Sequence, residues 1–478
     1  MDSRVSARAL TAALGGWRTR EPAYEALADG IRLLCLDNRL APGTALPAER
    51  ELAAALRVSR STVTAAYRSL RDTGHIASVR GSGSVTLPLR RHDPGRAGAG
   101  EGMLDLQQAS PQAWPGLAGV MADVAASSAA LVSRVGYDVF GRRELREAIA
   151  DHYTARGLPT TPGQILVTTG AQSAIHLVAS VLLARGDRLV IETPTYPHAA
   201  DAFRRAGSRL VGVPVTTDDG WDLERAEQAF ARTLPIAAYL MPAFQNPTGR
   251  SMSVREAEVI RDSAERAGSV LVLDETTADL VIDPDKRDDS FLHVFAAADE
   301  ESIVRIGSLG KTVWGGLRVG WVRADGDFVR RLVAARPAHD LGTPEFEQAV
   351  ATELLRRFPG IVAQRSDLLR AGRAAAVAAL ARELPEWRVP EVNGGVSLWV
   401  EMGAPLSAAL VMDVRSRGLL LSAGPRFSVD GGHDRHLRVP FTGPPDEIDR
   451  AIGILAEGWA HVRESAPVAY TQGLDAVV

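Results

Sequence analysis

Between residues 164 and 322 the chain alternates short apolar runs with stretches of amphipathic, helical periodicity. The runs fall at 164–168, 188–192, 208–213, 236–241, 269–273, 302–306 and 317–322. Helical patterns such as Ala171 to Ala184 and Val254 to Ala267 lie between most of them. A strand that is apolar on both faces needs cover on both, and helices between successive strands supply it. The expected fold is α/β, with a mostly parallel seven-stranded sheet doubly covered by helices. After residue 326 the pattern turns mainly helical. Short strands expected near 396–401 and 436–440 predict a smaller C-terminal subdomain.

Residues 88–102 combine Pro, Gly and charge with no apolar period, the composition of a linker. They divide the chain into a head at 1–87, a body at 103–465 and a patternless tail at 466–478. Residues 1–90 hold 13 arginines against 8 acidic residues, whereas the remainder holds 41 basic against 50 acidic residues. A basic head on an acidic body points to a polyanionic partner for the head. Cys35 is the single cysteine, so no intrachain disulfide is possible. No run approaches the ~20 apolar residues of a membrane span, and no start resembling a signal peptide is visible. The expectation is a cytoplasmic protein without a membrane partner.

The head reads as helices and then a hairpin. Pro22 to Asn38 carries an apolar stripe of Leu27, Ile31, Leu34 and Cys35. Glu49 to Leu56 is a short helix. Ser59 is placed to cap a second one, Arg60 to Thr73, whose buried face is Val63, Tyr67 and Leu70. Two short strands, 76–79 and 84–87, flank a tip at Arg80-Gly81-Ser82-Gly83. This is a winged helix-turn-helix pattern, in which the start of the second helix faces base edges in the major groove. Its candidate contacts are Arg60, Ser61, Thr62 and Thr64, with Arg50, Arg80 and Gly81 toward phosphates.

The body carries one of only two lysines, Lys311, in a chain with 52 arginines. Arginine replaces lysine as a surface charge but not as an amine nucleophile. The other lysine, Lys286, lies in a charged run. An amine after the small-residue stretch Ser308-Leu309-Gly310 fits a Schiff base to an aldehyde cofactor, usually pyridoxal 5'-phosphate (PLP). Four further pieces fit the same cofactor. The turn Thr169-Gly170-Ala171-Gln172 opens a helix whose free amides suit a phosphate. Tyr196 can stack on a flat ring, and Asn246 can bond its phenolic oxygen. Asp274 ends an apolar strand, where a carboxylate needs a partner; a protonated pyridine nitrogen is one. Ser308 and Arg318 are further phosphate candidates. No metal site is expected.

Two resemblances rest on these residues. The stretch from Leu46 to Gly74 resembles the DNA-binding head of the GntR superfamily. The order Gly-Ala-Gln, Pro-Thr-Tyr, Asn-Pro-Thr-Gly, Asp and Ser-x-x-Lys followed by Arg318 resembles fold-type-I, aminotransferase-like PLP domains over 103–463. Together they resemble the MocR-type transcriptional regulators. The resemblance implies an operator in double-stranded DNA and a small amino acid or amine as effector. It also implies a head-to-tail homodimer in which Tyr137 reaches the partner's phosphate, and it gives Arg438 the effector's carboxylate. The family's frequent tyrosine two residues after the aspartate is Thr276 here, and a common second serine is Gly310, so transamination is the more doubtful function. The competing expectation is an active aminotransferase that carries a DNA-binding head.

Overall fold

The computed structural model describes residues 4–18, 22–37, 39–79, 83–87, 103–133, 135–284 and 290–465. Arg80, Gly81, Lys286, the linker and the tail lie outside them.

In the head, four helices pack around one apolar cluster: α1 Ala7–Leu14, α2 Ala23–Leu36, α3 Glu49–Leu56 and α4 Arg60–Asp72. The expected boundaries of α2, α3 and α4 hold to within about two residues, and Val63, Tyr67 and Leu70 are buried as expected. Helix α1 escaped the sequence reading because its stripe has only two large apolar residues, Leu10 and Leu14. The α3–α4 turn is made by Arg57 in the left-handed region at φ 54°, followed by Ser59, whose hydroxyl accepts from the Thr62 amide. The wing pairs β1 Ile76–Val79 with β2 Gly83–Thr86, antiparallel, Ile76 opposite Thr86.

The body is built on eight strands: β4 Ile165–Thr168, β5 Arg188–Thr193, β6 Arg209–Thr216, β7 Gly220–Trp221, β8 Ala237–Leu240, β9 Val270–Asp274, β10 Ile303–Ser308 and β11 Gly320–Arg323. Their order across the sheet is β4-β11-β10-β9-β8-β5-β6-β7. The run from β10 to β6 is parallel throughout, while β11 is antiparallel to both its neighbours. The seven foreseen strands are all present. The eighth, β7, has two residues, too short to leave a period in the sequence.

The C-terminal subdomain pairs β12 Ser397–Glu401 with β14 His436–Pro440 under the long helices Phe358–Glu383 and Pro445–Ser465. A further parallel pair ties β3 Leu104–Asp105, directly after the linker, to β13 Leu419–Leu420. The head sits on this subdomain. Leu33 of α2 belongs to the subdomain's buried cluster, and the Gly16 amide donates to Asp434 at 3.3 Å.

The largest fully buried side chain is Arg336. Its guanidinium donates to the carbonyls of Val139 and Val167 at 2.8 and 2.7 Å, to Thr343 at 3.2 Å and to Asp340 at 2.5 Å. Val167 lies on β4, just ahead of the Thr169-Gly170 turn, so this arginine fixes the strand that presents the turn. Arg336→Met keeps much of the volume but strands the buried Val167 carbonyl, the half-buried Val139 carbonyl and the Asp340 carboxylate. It should cost about 3 kcal/mol, read as a lower thermal midpoint of the body by near-ultraviolet circular dichroism.

Candidate functional site

The cleft lies at the carboxyl ends of the parallel strands, where open α/β sheets place their ligands. It has a volume of about 410 Å³ and is lined by Ala171, Gln172, Tyr196, Asn246, Asp274, Ser308, Lys311, Arg318 and Arg438. Each strand delivers its piece as the chain leaves it: Tyr196 after β5, Asn246 after β8, Asp274 at the end of β9, Ser308 at the end of β10.

The phosphate end is shaped by backbone. Gly170 has φ 81° and precedes helix Ala171–Leu182, whose first amides receive no side-chain cap. A Cβ on Gly170 would stand 2.8 Å from Arg318 Nη2, so glycine lets the guanidinium close over the turn. Arg318 Nη2 donates to the Thr169 carbonyl at 3.0 Å. Gln172 Oε1 is buried without a hydrogen-bond partner among the described residues. Ser308 is more committed than the sequence suggested. Its hydroxyl donates to the Val319 carbonyl at 3.1 Å and accepts from the Gly310 amide at 3.0 Å, shaping the turn that carries Lys311.

At the other end, Asp274 is 2% exposed. Burial raises its pKa, opposed by hydrogen bonds from Tyr239 and Thr276. The Tyr239 hydroxyl donates to Asp274 Oδ2 at 2.5 Å and the Thr276 amide to Oδ1 at 3.0 Å. Tyr239 is a residue that sequence reasoning did not place in the site. The signal was available, because a tyrosine in a wholly buried apolar strand needs a polar partner for its tip. Behind it, Glu192 accepts from Trp221 Nε1, the Met241 amide and Gln245 Nε2, and burial pushes its pKa up to about 8. Gln245 thereby bridges the loops that carry Tyr196 and Asn246, since it also donates to the Pro194 carbonyl at 2.7 Å.

Lys311 and Arg438 share one stretch of chain. Lys311 Nζ donates to the Ala109 carbonyl at 2.6 Å and Arg438 Nη2 to the Gln107 carbonyl at 2.5 Å. Both carbonyls follow β3, a few residues after the linker. Arg438 also leans over the Phe427 ring, 4.8 Å from its centroid, and approaches Asn246 Oδ1 at 3.4 Å, while its Nε has no partner among the described residues. Burial lowers Arg438 to about 10 and Tyr196 is pushed up to about 12. Tyr137 is absent from the cleft; it is 72% exposed on the surface.

In the head, Arg50, Arg60 and Ser61 are exposed, but several of the described candidates already have partners within the head. Thr64 donates to Glu49 at 2.7 Å, Arg60 lies 3.6 Å from the same carboxylate, and the Ser61 and Thr62 hydroxyls bond Ser59.

The profile of aminotransferase class I and II matches residues 128–455. The chain belongs to that family. The profile of the bacterial GntR-family regulatory proteins matches residues 23–85. The uncharacterised HTH-type transcriptional regulator YisV of Bacillus subtilis is 27% identical over 85% of this chain and 89% of its own. The probable rhizopine catabolism regulatory protein MocR of Rhizobium meliloti is 29% identical over 63% of this chain and 65% of its own. The α-aminoadipate aminotransferase LysN of Thermus thermophilus, solved with N-(5'-phosphopyridoxyl)-L-leucine, superposes with a TM-score of 0.70 at 28% identity, over 76% of this chain and 94% of that one. The combination is that of MocR-like regulators, and the cofactor of the fold is PLP. The residues fit it: an uncapped helix start beside Arg318, a buried carboxylate, and an amine between them.

Burial, reinforced by Arg438, lowers the Lys311 amine to about 8. Only the neutral amine attacks an aldehyde, and its fraction rises as pH climbs through that value. The rate at which apo-protein captures PLP should therefore increase up to about pH 8 and level off above it, followed by growth of the cofactor's absorbance band. A rate still rising toward the ordinary lysine value of 10.5 would contradict this environment.

Proposed function

We propose that the chain is a PLP-dependent, DNA-binding transcriptional regulator that senses a small amino compound. The observation that carries this reading is the seating of a GntR-type head on the subdomain that supplies Arg438 to the PLP cleft. A site that binds an amine and a module that binds DNA are thus joined by packed chain.

PLP supplies an aldehyde and an electron-withdrawing ring. The protein's part is to position and to tune. Asp274 would hold a proton on the ring nitrogen, with the Tyr239 hydroxyl keeping its carboxylate in line. Tyr196 would cover the ring face, Asn246 would meet the phenolic oxygen, and Gly170, Ala171, Gln172, Ser308 and Arg318 would hold the phosphate. Lys311 would hold the aldehyde, and the carboxylate of an effector would take Arg438 in place of the Gln107 carbonyl. A guanidinium offers that carboxylate a paired, charge-assisted contact. The ligand shifts the equilibrium only because it favours one arrangement of the cleft and of the segment 107–109 that lines it over the other.

The regulator works as a head-to-tail homodimer in the cytoplasm. The exposed Tyr137 reaches the partner's phosphate, and the two heads read a pair of half-sites. Arg60 and Ser61, with Thr62 and Thr64 behind them, enter the major groove. Arg50, Arg80 and Gly81 meet phosphates.

Experiments on the cleft and on the head test the reading. Holo-protein should be yellow, and borohydride should fix the cofactor to Lys311; Lys311→Ala should lose this attachment. Amines should shift the band without steady formation of keto acid, and turnover at about 1 s⁻¹ or faster would make the chain an enzyme first. For the head, Arg60→Ala should weaken binding to the chain's own promoter by about 1–3 kcal/mol if it touches a base edge. The wild-type affinity should fall steeply with salt, since phosphate contacts release counterions. A body lacking the head that footprints equally well would refute the assignment.

A further inference from the structure

The cleft holds more positive charge than the cofactor and one carboxylate account for. Its lining includes Lys311, Arg318, Arg426 and Arg438 against a single carboxylate, Asp274. Lys311 is assigned to the aldehyde, Arg318 to the phosphate, and Arg438 to the effector's carboxylate. Arg426 has no such assignment, and nothing in its sequence context singled it out.

Arg426 is held where a second group on the effector can meet it. It lies in the 3₁₀ turn Gly424–Phe427, which is tied to β14 by a bridge between Ala423 and Leu437. Arg438 is the residue after Leu437. Phe427, the residue after Arg426, stacks edge-on against Trp399 of β12 and carries the Arg438 guanidinium over its face. The two arginines are therefore presented to one cleft by one rigid unit. The Arg426 side chain is 10% exposed, so its charge is only weakly screened by water. Among the described residues it makes one ion pair, from Nη2 to Asp201 at 2.8 Å. That carboxylate is 39% exposed and is shared with Arg204 at 3.6 Å and His198 at 3.9 Å. Asp201 and, across the cavity between head and subdomain, the buried Asp37 thus face four guanidiniums, those of Arg426, Arg204, Arg39 and Arg415. The excess reaches into the cleft, where Arg426 lowers the pKa values of His198 and Arg438, in each case after the larger effect of burial.

We propose that Arg426 binds a second anionic group of the effector, which makes the effector an α-amino acid with an acidic side chain. This rests on the sensing reading above and narrows its ligand class. A neutral side chain would leave the surplus charge of Arg426 enclosed, whereas an anionic one satisfies it with a charge-assisted contact. Arg438 fixes the α-carboxylate and Arg426 the distal anion, so the two ends are read by different arginines.

The test is a titration of full-length holo-protein, read as the shift of the cofactor band. L-aspartate is compared with L-asparagine, L-glutamate with L-glutamine, and the next homologue, L-2-aminoadipate, with L-norleucine. In at least one pair the acidic member should bind about tenfold or more tightly, a difference of about 1.4 kcal/mol. Arg426→Gln should bring that ratio close to one while the holo-protein keeps its band, and Arg426→Lys should restore part of it. Retention of the band by the Gln variant separates loss of selectivity from loss of fold. Equal binding within every pair, or a preference that survives Arg426→Gln, overturns this inference and leaves the sensing reading standing. A band that responds to none of these amines while still forming on Lys311 overturns both.

Discussion

A carboxylate buried at the end of a central strand is the constraint around which the body is arranged. Asp274 closes β9 with 2% of its surface exposed. An isolated charge there is costly, and neutralisation by protonation is the ordinary escape. The fold instead surrounds it with donors. Tyr239 comes from the adjacent strand β8, and the Thr276 amide from the turn that follows. Those donors make the site acceptable to a carboxylate but do not supply a cation, which the ring nitrogen of a bound PLP would. The parallel order β10-β9-β8-β5 then dictates that Lys311, Asn246 and Tyr196 leave the sheet on the same edge as Asp274. One electrostatic demand and one sheet direction thus determine most of the cleft.

The features legible in the sequence are those with a period or a rare residue. Buried parallel strands leave continuous apolar runs, and seven of the eight were readable. A lone catalytic-type lysine stands out against 52 arginines. Capping chemistry at Ser59 made α4 readable to within a residue. What was not legible depends on tertiary neighbours. Tyr239 gains its role only because β8 lies beside β9. The second task of Ser308, a hydroxyl bond to the Val319 carbonyl that shapes the turn before Lys311, depends on a residue eleven positions on. Arg426 sits in a short turn with no period at all, and its place in the cleft follows from a bridge to β14. Carbonyls such as those of Gln107 and Ala109 carry no sequence signal, because every residue has one.

Head and body are not joined by the linker alone. Leu33 is buried within the subdomain's own core, so α2 completes two apolar clusters at once. Between them lies a cavity of about 310 Å³, walled by residues of α1 and α2 on one side and of the subdomain on the other. Asp37 lines it, and burial pushes its carboxyl up to about 6 despite Arg426, Arg39 and Arg415 nearby. Arg426 lines both this cavity and the cofactor cleft. Arginine suits such a position because its guanidinium offers several donors in fixed directions.

The pairing of β3 with β13 has a mechanical consequence. Residues 104–106 are fastened to the subdomain by the amides of Leu104 and Leu106, each at 2.9 Å from its acceptor. The next residues carry the carbonyls that hold Arg438 and Lys311. A pull on the chain at residue 103 therefore meets a short seam first and the two working side chains immediately behind it. The seam is an anchorage that holds the segment with the Gln107 and Ala109 carbonyls against the subdomain. In the proposed regulator, a force on the chain at residue 103 and a ligand in the cleft would act on the same few backbone carbonyls.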